Sequence, residues 1–124
     1  MPPLSSTIMA LQGLFGILNG AASLISSALQ KNLETLQIDS VPAIHAISLG
    51  SVSIGAFYIN AAYRKDRPIM WVCVLGRGMA VPVFMGHGGP WRNVAAFEAV
   101  CGLSIAGALV WEQWGKESRK VREE

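Results

Sequence analysis

Two ionisable residues stand inside long apolar runs, and their side chains are the strongest candidates for chemistry in this sequence. Arg77 lies in the middle of the run 69–85, and Glu98 lies near the start of the run 94–111. Hydrocarbon solvates neither charge, so a guanidinium at this depth needs a partner. Because a short turn joins the two runs, we expect antiparallel neighbouring helices and an ion pair between Arg77 and Glu98.

The Arg77–Glu98 pair has two interpretations, and the sequence leaves both open. It can be a buried salt bridge that only holds two helices in register. It can also be an interior site, in which Arg77 binds an anion or a carbonyl oxygen and Glu98 donates or accepts a proton. Because intramembrane ionisable residues are candidates for function, we take Arg77 and Glu98 as the candidate catalytic residues.

Further polar residues in or beside the apolar runs are candidate binding residues. Histidines and an arginine near one end of the predicted helices can form a polar mouth beside Glu98, although a single histidine is more often structural. The backbone between Gly86 and Gly89 can bind an anion, but Gly-Gly-Pro is first of all a turn sequence. The candidate binding residues are Asn19, His45, Tyr58, His87 and Arg92.

Several function classes are not predicted. No pattern for a metal, a nucleotide or a catalytic triad is present, and we predict no metal and no cofactor. The two cysteines, Cys73 and Cys101, form no Cys-x-x-Cys motif and are expected to be packing residues. A formal net charge of +2 is too small to indicate nucleic-acid binding, and no basic stripe with interleaved aromatic residues is present.

The elements that must position these residues are predicted to be membrane-spanning helices. Apolar residues make up 52% of the 124 residues and charged residues only 15%, against roughly 25% in ordinary soluble domains. Residues 1–30 and 40–63 contain no Asp, Glu, Lys or Arg, and a soluble bundle would need a polar stripe on each helix. Uncharged runs longer than about 18 residues are candidate membrane spans.

We therefore predict an all-α fold, an integral membrane four-helix bundle. The transmembrane domain is expected at 1–112 and a charged, solvated tail at 113–124. The N-terminal run lacks a basic region and a clean cleavage site, so we expect it to be retained rather than removed as a signal peptide. The predicted spans are about 7–29, 41–62, 69–85 and 94–111.

Basic residues predict how the four spans are oriented. The side that holds both termini and the second connection carries seven of them, whereas the other side carries only Lys31 and Arg92. The positive-inside rule then predicts cytoplasmic termini, in the endoplasmic reticulum if the protein is eukaryotic. The seven residues are Arg64, Lys65, Arg67, Lys116, Arg119, Lys120 and Arg122.

Gly16 and Gly20 lie four residues apart and share one face of the first predicted helix. Such small-residue faces let helix backbones approach closely in a bilayer. A contact within one chain is favoured, and a homo-oligomer through Gly16 and Gly20 is the alternative. The predicted partner that surrounds the four helices is the lipid bilayer.

Four features of the chain form a pattern. They are the small-residue first span, the stretch from Leu49-Gly50 to Gly55, the charged connection 63–68, and a fourth span rich in glycine and alanine. With this pattern, which covers most of the chain, the sequence resembles small four-helix membrane proteins of the DoxX-like kind. The resemblance implies a four-helix membrane bundle and no catalytic residue. The composition is also similar to that of small membrane proteins of fungal metabolite pathways.

Two functions from different classes fit these observations. The first is a non-catalytic four-span protein that binds a lipophilic small molecule or a partner protein. The second is a membrane-embedded isomerase or cyclase of a secondary-metabolite pathway of fungal type, with Glu98 as acid or base and Arg77 as an anchor for an anion or a carbonyl. A proton-coupled carrier is less favoured, because four short spans leave little room for a transport path without oligomerisation.

Overall fold

The computed structural model describes residues 3–24, 34 and 40–123, and in this part of the chain it forms four helices. These are α1 (Leu4–Ser23), α2 (Val41–Arg64), α3 (Arg67–His87) and α4 (Trp91–Glu123). The described residues contain no strand. The predicted all-α class is confirmed, and each helix is long and apolar enough to cross a membrane. These are the properties of an integral multi-pass membrane protein.

The start of α2 follows from its first residues. The Ser40 hydroxyl accepts a hydrogen bond from the Ala43 backbone N–H at 3.3 Å, which satisfies one of the unpaired donors at the helix start. Pro42 lies in the first turn, where a missing N–H has no consequence for helical hydrogen bonding. The helix therefore begins at Val41, the residue at which the second span is predicted to begin.

The first and the last helix have bounds that differ from the predicted spans. α1 begins at Leu4 rather than at residue 7, because the side chain of Glu112 binds its first turn. The predicted end of the first span, 25–29, lies outside the described residues. α4 continues far beyond the predicted end at residue 111, so the charged tail is helical and exposed as far as Glu123. Its Lys, Arg and Glu residues are good helix formers.

The predicted charged loop 63–68 is shorter than expected, because only two residues separate α2 from α3. Lys65 ends α2 in the left-handed conformation (φ 53°), and its N–H donates to the Ala62 carbonyl at 3.2 Å. Asp66 then caps α3, since its carboxylate accepts a hydrogen bond from the Ile69 N–H at 3.3 Å. Both helices therefore extend into the charged stretch.

The turn between α3 and α4 depends on two glycines. Gly88 and Gly89 have φ values of 67° and 55°, a region that residues with a Cβ rarely adopt. This agrees with a turn role for the Gly-Gly-Pro sequence. Before the turn, α3 stays helical through Pro82 and ends at His87, beyond the predicted end at residue 85. α3 and α4 are thereby antiparallel neighbours, as the sequence predicts.

The four helices pack as two antiparallel hairpins. α1 lies along α2, α3 lies along α4, and α1 also contacts α4, whereas α2 and α3 make few contacts. α3 is the least buried helix, and Met70 is its only fully buried residue. The core draws on all four helices and consists of Met9, Tyr58, Ala61, Ala62, Met70, Ile105 and Leu109.

The small-residue face of α1 packs on α2. A Cβ added at Gly20 would lie 2.6 Å from the Ser48 carbonyl oxygen, too close for any side chain. Beside it, the Ser51 hydroxyl donates a hydrogen bond to the Gly16 carbonyl oxygen at 2.8 Å. The face therefore makes the contact within the chain that the spacing favours. A homo-oligomer through Gly16 and Gly20 stays a prediction.

The outer surface of the bundle is apolar. Large side chains such as Leu75, Val100 and Leu103 are 65%, 64% and 72% exposed. In a soluble helix bundle these outward positions would be polar. The surface suits contact with hydrocarbon, so a soluble bundle does not account for it.

Candidate interior polar site

Arg77 lies at the middle of α3, between two glycines that carry no side chain. Its own side chain runs along α4. A Cβ added at Gly102 on that helix would lie 3.4 Å from the Cβ of Arg77. The missing side chain at Gly102 therefore lets the aliphatic stem of Arg77 lie against the α4 backbone.

Arg77 and Glu98 form the ion pair that the sequence predicts. Nη1 of Arg77 donates a hydrogen bond to Oε2 of Glu98 at 2.6 Å. The two side chains are only 14% and 20% exposed, so the pair is largely shielded. A charge-assisted hydrogen bond of this length is strong and offsets part of the cost of placing a guanidinium in an apolar helix. The pair joins α3 to α4.

Tyr58 brings a third helix to the same guanidinium. Cζ of Arg77 lies 5.2 Å from the centroid of the Tyr58 ring, within the range of a cation–π interaction. Tyr58 is 6% exposed and belongs to the core. The spacing in the sequence does not predict this contact, because α2 and α3 touch at few positions. It depends on the length of the arginine side chain.

Two further side chains reach this region. The Cys73 thiol lies one turn before Arg77 on α3, beside the Tyr58 hydroxyl. Gln12 of α1 donates from Nε2 to the Cys101 carbonyl oxygen of α4 at 3.1 Å. Sequence reasoning missed Gln12, for which the available signal was a polar residue within the uncharged first run. We define the interior polar site as Tyr58, Cys73, Arg77 and Glu98.

Some hydrogen-bonding capacity in these side chains is unused. Nε of Arg77 and Oε1 of Gln12 are buried and have no hydrogen-bond partner among the described residues. The first is a donor and the second an acceptor. Since buried polar groups in folded proteins nearly always have partners, such atoms call for an explanation. The guanidinium at the centre of the site therefore has one N–H donor, at Nε, that no acceptor among the described residues uses.

Four predicted binding residues lie away from the interior polar site. Asn19 of α1 and Arg92 of α4 are exposed on the outer faces of their helices, and His45 is half-buried near the start of α2. His87 is exposed, with its ring centroid 6.3 Å from that of Trp91. No hydrogen bond or ion pair among the described residues connects any of the four to Glu98, whose ion-pair partner is Arg77. The four are Asn19, His45, His87 and Arg92, and their role in binding stays a prediction.

Sequence reasoning missed a second polar cluster, centred on Glu112. Its Oε2 accepts a hydrogen bond from Nη1 of Arg67 at 2.6 Å, and Nη2 of Arg67 donates to the Leu109 carbonyl at 2.9 Å. The Ser5 N–H and hydroxyl donate to the two carboxylate oxygens at 2.7 and 2.8 Å. Glu112 thereby caps the start of α1 from another helix. It directly follows the apolar part of α4, at the end of the predicted transmembrane domain, and the sequence pattern predicts no partner for it.

The interior polar site is suited to recognising an oxygen atom. The guanidinium is a permanently charged donor, and the Tyr58 hydroxyl both donates and accepts. Within the described ranges, no three His, Cys, Asp or Glu side chains converge as metal ligands. Groups of this kind can bind a carbonyl or carboxyl group, and a carboxylate such as Glu98 can also transfer a proton.

The fold and the interior polar site were compared with known proteins. No protein-family model, no curated protein and no solved structure matches the chain. The resemblance to DoxX-like membrane proteins therefore stays a prediction. A function therefore has to be inferred from the contacts of Arg77 and Glu98.

Proposed function

We propose that this chain is a membrane protein that binds a lipophilic small molecule, with the interior polar site holding the polar head of that molecule. The observation that carries the proposal is the buried Nε of Arg77, which has no hydrogen-bond partner among the described residues. A buried donor on a charged group is costly to leave unpaired. An acceptor oxygen of a carbonyl or carboxyl group would satisfy it.

The surroundings of Arg77 favour a ligand that is otherwise apolar. On α3, the helix least covered by the others, Val72, Leu75 and Met79 are 63%, 65% and 65% exposed. In a bilayer these side chains face hydrocarbon on the side of α3 opposite to Arg77. Small-molecule sites are commonly apolar with a few placed polar groups, and the half-buried Val74 and Val81 flank Arg77 on its own face of α3.

An isomerase or cyclase acting on such a molecule is the second candidate. Arg77 and Glu98 touch each other, so a carbonyl held by the guanidinium would lie beside a carboxylate that can exchange a proton. Glu98 would be the acid or base and Arg77 the anchor. A place in a fungal-type secondary-metabolite pathway remains a prediction from composition.

The proposed orientation places both termini in the cytoplasm, and the membrane is that of the endoplasmic reticulum if the protein is eukaryotic. Exposed basic residues at the end that holds the α2–α3 connection and the α4 tail support this orientation. Arg92 is the exposed arginine of the opposite end among the described residues.

Photolabelling with a fatty-acid probe tests the binding proposal. The full chain in lipid nanodiscs is irradiated with palmitic acid that carries a diazirine and an alkyne, a probe with a carboxylate head and an apolar tail. We expect labelling of α3 or α4 that unlabelled palmitic acid competes away. In Arg77→Gln the labelling should fall about tenfold, because a charge-assisted hydrogen bond is lost.

Arg64→Gln is the matched control, since Arg64 is exposed, lies outside the interior polar site and makes no ion pair among the described residues. It should label like the wild type. Equal labelling of the wild type and an Arg77→Gln variant with unchanged circular dichroism would refute the proposed site.

Glu98→Gln separates the two candidate functions. Suppose that deletion of the gene makes a lipophilic precursor accumulate. If the Glu98→Gln variant is still photolabelled but does not reverse this accumulation when expressed in the deletion strain, catalysis would be established. If deletion of the gene leaves the metabolite profile unchanged, the isomerase or cyclase candidate fails and only binding remains.

A further inference from the structure

The outer face of α4 carries a heptad pattern that continues past the apolar part of the helix. Seven positions follow one another at alternating spacings of four and three residues, the pattern of a helix that packs against another in a left-handed coiled coil. Six of the seven residues are exposed, and Ser104 is half-buried. We call this stripe the α4 seam, and it consists of Val100, Ser104, Gly107, Trp111, Trp114, Ser118 and Val121.

The α4 seam points away from the bundle. On the other side of α4, Ile105 and Leu109 are fully buried, and Glu112 binds α1 and α3. Because successive residues of a helix are rotated by about 100°, these three residues lie opposite to the seam. A second helix can therefore lie along the whole seam, over about 30 Å, without displacing α1 or α3.

Large and small residues alternate along the α4 seam. Trp111 and Trp114 are 71% and 64% exposed, and together with Gly107 they line a groove on this face. Outside the backbone of α4 itself, no atom lies within 4 Å of a Cβ position on Gly107 or on Gly115, which follows Trp111 by one turn. The two glycines therefore leave room for bulky side chains of a neighbouring helix, as in knobs-into-holes packing.

The charged residues beside the α4 seam are arranged to pair with a second copy of this chain. Glu117 and Arg122 line the groove next to Trp114 and Val121, and neither makes an ion pair among the described residues. Glu117 precedes a seam position and Arg122 follows the next one but one, which are the flanking g and e positions of consecutive heptads. In a parallel pair of helices, these positions of the two helices meet, and twofold symmetry forms the contact twice. The basic residues of the tail that point away from the seam are Lys116, Arg119 and Lys120.

Two observations favour a second copy over lipid as the occupant of the α4 seam. Val121 lies about 10 Å beyond Trp114 along the helix, in the charged tail, whereas tryptophan favours the membrane–water interface. Acyl chains therefore do not reach this part of the seam. All copies also have one orientation in the membrane, so their α4 helices are parallel, as the pairing of Glu117 with Arg122 requires.

We propose that two copies of this chain form a parallel homodimer, in which the α4 seams pack against each other and Glu117 of each copy pairs with Arg122 of the other. The contact is the same on both copies and closes on itself. It does not involve the interior polar site, so the inference is independent of the proposed function. It is also separate from the face of α1 that holds Gly16 and Gly20, which packs on α2 within the chain.

Disulfide crosslinking locates the interface. In a full chain with Cys73→Ala and Cys101→Ala, a new cysteine is placed in the seam by Val121→Cys or on the opposite side of α4 by Lys116→Cys. Each variant is reconstituted in phosphatidylcholine vesicles with a large excess of lipid and oxidised with copper phenanthroline. We expect Val121→Cys to form a covalent dimer and Lys116→Cys to remain monomeric, because a disulfide requires Cα atoms within about 7 Å of each other.

Charge reversal tests the pairing across the interface. Copies that carry donor or acceptor dyes on Asn93→Cys, in the same background without Cys73 and Cys101, report the dimer dissociation constant by energy transfer as the lipid is increased. Glu117→Lys should raise this constant about tenfold, since two symmetric attractions become repulsions. Adding Arg122→Glu to that variant restores opposite charges and should return the constant to within about twofold of the original value. Circular dichroism verifies that each variant is helical.

Three outcomes would overturn the proposal. Absence of energy transfer at every ratio of protein to lipid would show that lipid or another protein covers the α4 seam. Equal crosslinking of Val121→Cys and Lys116→Cys would show that the copies meet by random collision. An unchanged dissociation constant in Glu117→Lys, or no recovery when Arg122→Glu is added, would show that Glu117 and Arg122 do not pair.

Discussion

At the scale of single residues, four partly buried charged side chains among the described residues join helices to one another. Arg77 of α3 contacts Glu98 of α4 and the ring of Tyr58 of α2. Arg67 of α3 contacts Glu112 of α4, which also binds the start of α1. In an environment of low dielectric constant such contacts are strong, and a member without its partner is correspondingly costly.

Removing only one partner of the Arg77–Glu98 pair is expected to be strongly destabilising, more so than the interaction energy of the pair alone would suggest. Arg77→Gln and Glu98→Gln should each lower the free energy of unfolding by about 3 kcal/mol, because each leaves a shielded charge unpaired. The double variant should lose less than the sum, with a coupling energy of at least about 1 kcal/mol. Unfolding in mixed micelles with increasing sodium dodecyl sulfate, followed by circular dichroism, measures all three variants.

Arg92→Gln is the control for this cycle and should change stability by less than about 0.5 kcal/mol. Strictly additive losses would show that Arg77 and Glu98 act independently, contrary to their contact at 2.6 Å. A large coupling energy together with unchanged photolabelling would assign the pair to holding the helices in register.

At the scale of helices, the two hairpins are held together by different chemistry. α3 and α4 are joined by the long side chain of Arg77, which lies over Gly102. α1 and α2 meet backbone to backbone, since a Cβ on Gly13 would lie 2.6 Å from the Gly55 carbonyl oxygen. A contact of this second kind has no room for added atoms.

Gly55→Ala is expected to destabilise the α1–α2 hairpin. The added Cβ would lie 2.5 Å from the Gly13 carbonyl oxygen, so one backbone has to move. We expect a loss of about 2 kcal/mol in the free energy of unfolding. Gly50→Ala on the same helix is the matched control, because no atom lies within 4 Å of its Cβ position.

The same micelle titration compares the two alanine variants. Gly50→Ala should leave the free energy of unfolding unchanged or raise it slightly, since alanine is the better helix former. Equal stabilities of Gly50→Ala and Gly55→Ala would contradict the packing of α1 on α2.

At the scale of the whole molecule, one end of an apolar bundle carries most of the basic residues. Six exposed basic residues that make no ion pair among the described residues surround the α2–α3 connection and the tail of α4, among them Arg64 and Lys116. This charge distribution underlies the proposed orientation. An orientation measurement therefore bears on the whole architecture.

Cysteine accessibility is expected to report both the orientation and whether α3 crosses the membrane. In a chain with Cys73→Ala and Cys101→Ala, Tyr63→Cys should react with a membrane-impermeant maleimide from the cytoplasmic side only. Asn93→Cys should react from the opposite side only. Tyr63 and Asn93 are exposed near the two ends of α3, and neither substitution removes a basic residue on which the orientation depends.

Each alternative pattern of labelling has a definite meaning. A reversed pattern would show that the orientation proposed from the basic residues is wrong. Reaction of both cysteines from the same side would show that α3 does not cross the membrane, in spite of its length and apolar composition.

The pairing of Arg77 with Glu98 could be predicted because the two residues belong to consecutive helices. The short turn that contains Gly88 and Gly89 forces these helices to be antiparallel neighbours, so residues at similar depth come within reach of a long side chain. The Tyr58 contact could not be predicted in this way. This contact depends on how α2 and α3 are rotated relative to each other, which no turn sequence specifies.

The sequence by itself determined four apolar helices, their order and the antiparallel relation of α3 and α4. These features depend on local chemistry: uncharged runs, capping residues such as Ser40 and glycine turns. Only the tertiary structure decided which faces meet, including the hydrogen bond from Ser5 to Glu112 across 107 residues and the burial of the Arg77 Nε without a partner among the described residues. Such contacts depend on how all four helices pack at once, which the apolar pattern of each helix taken separately does not contain.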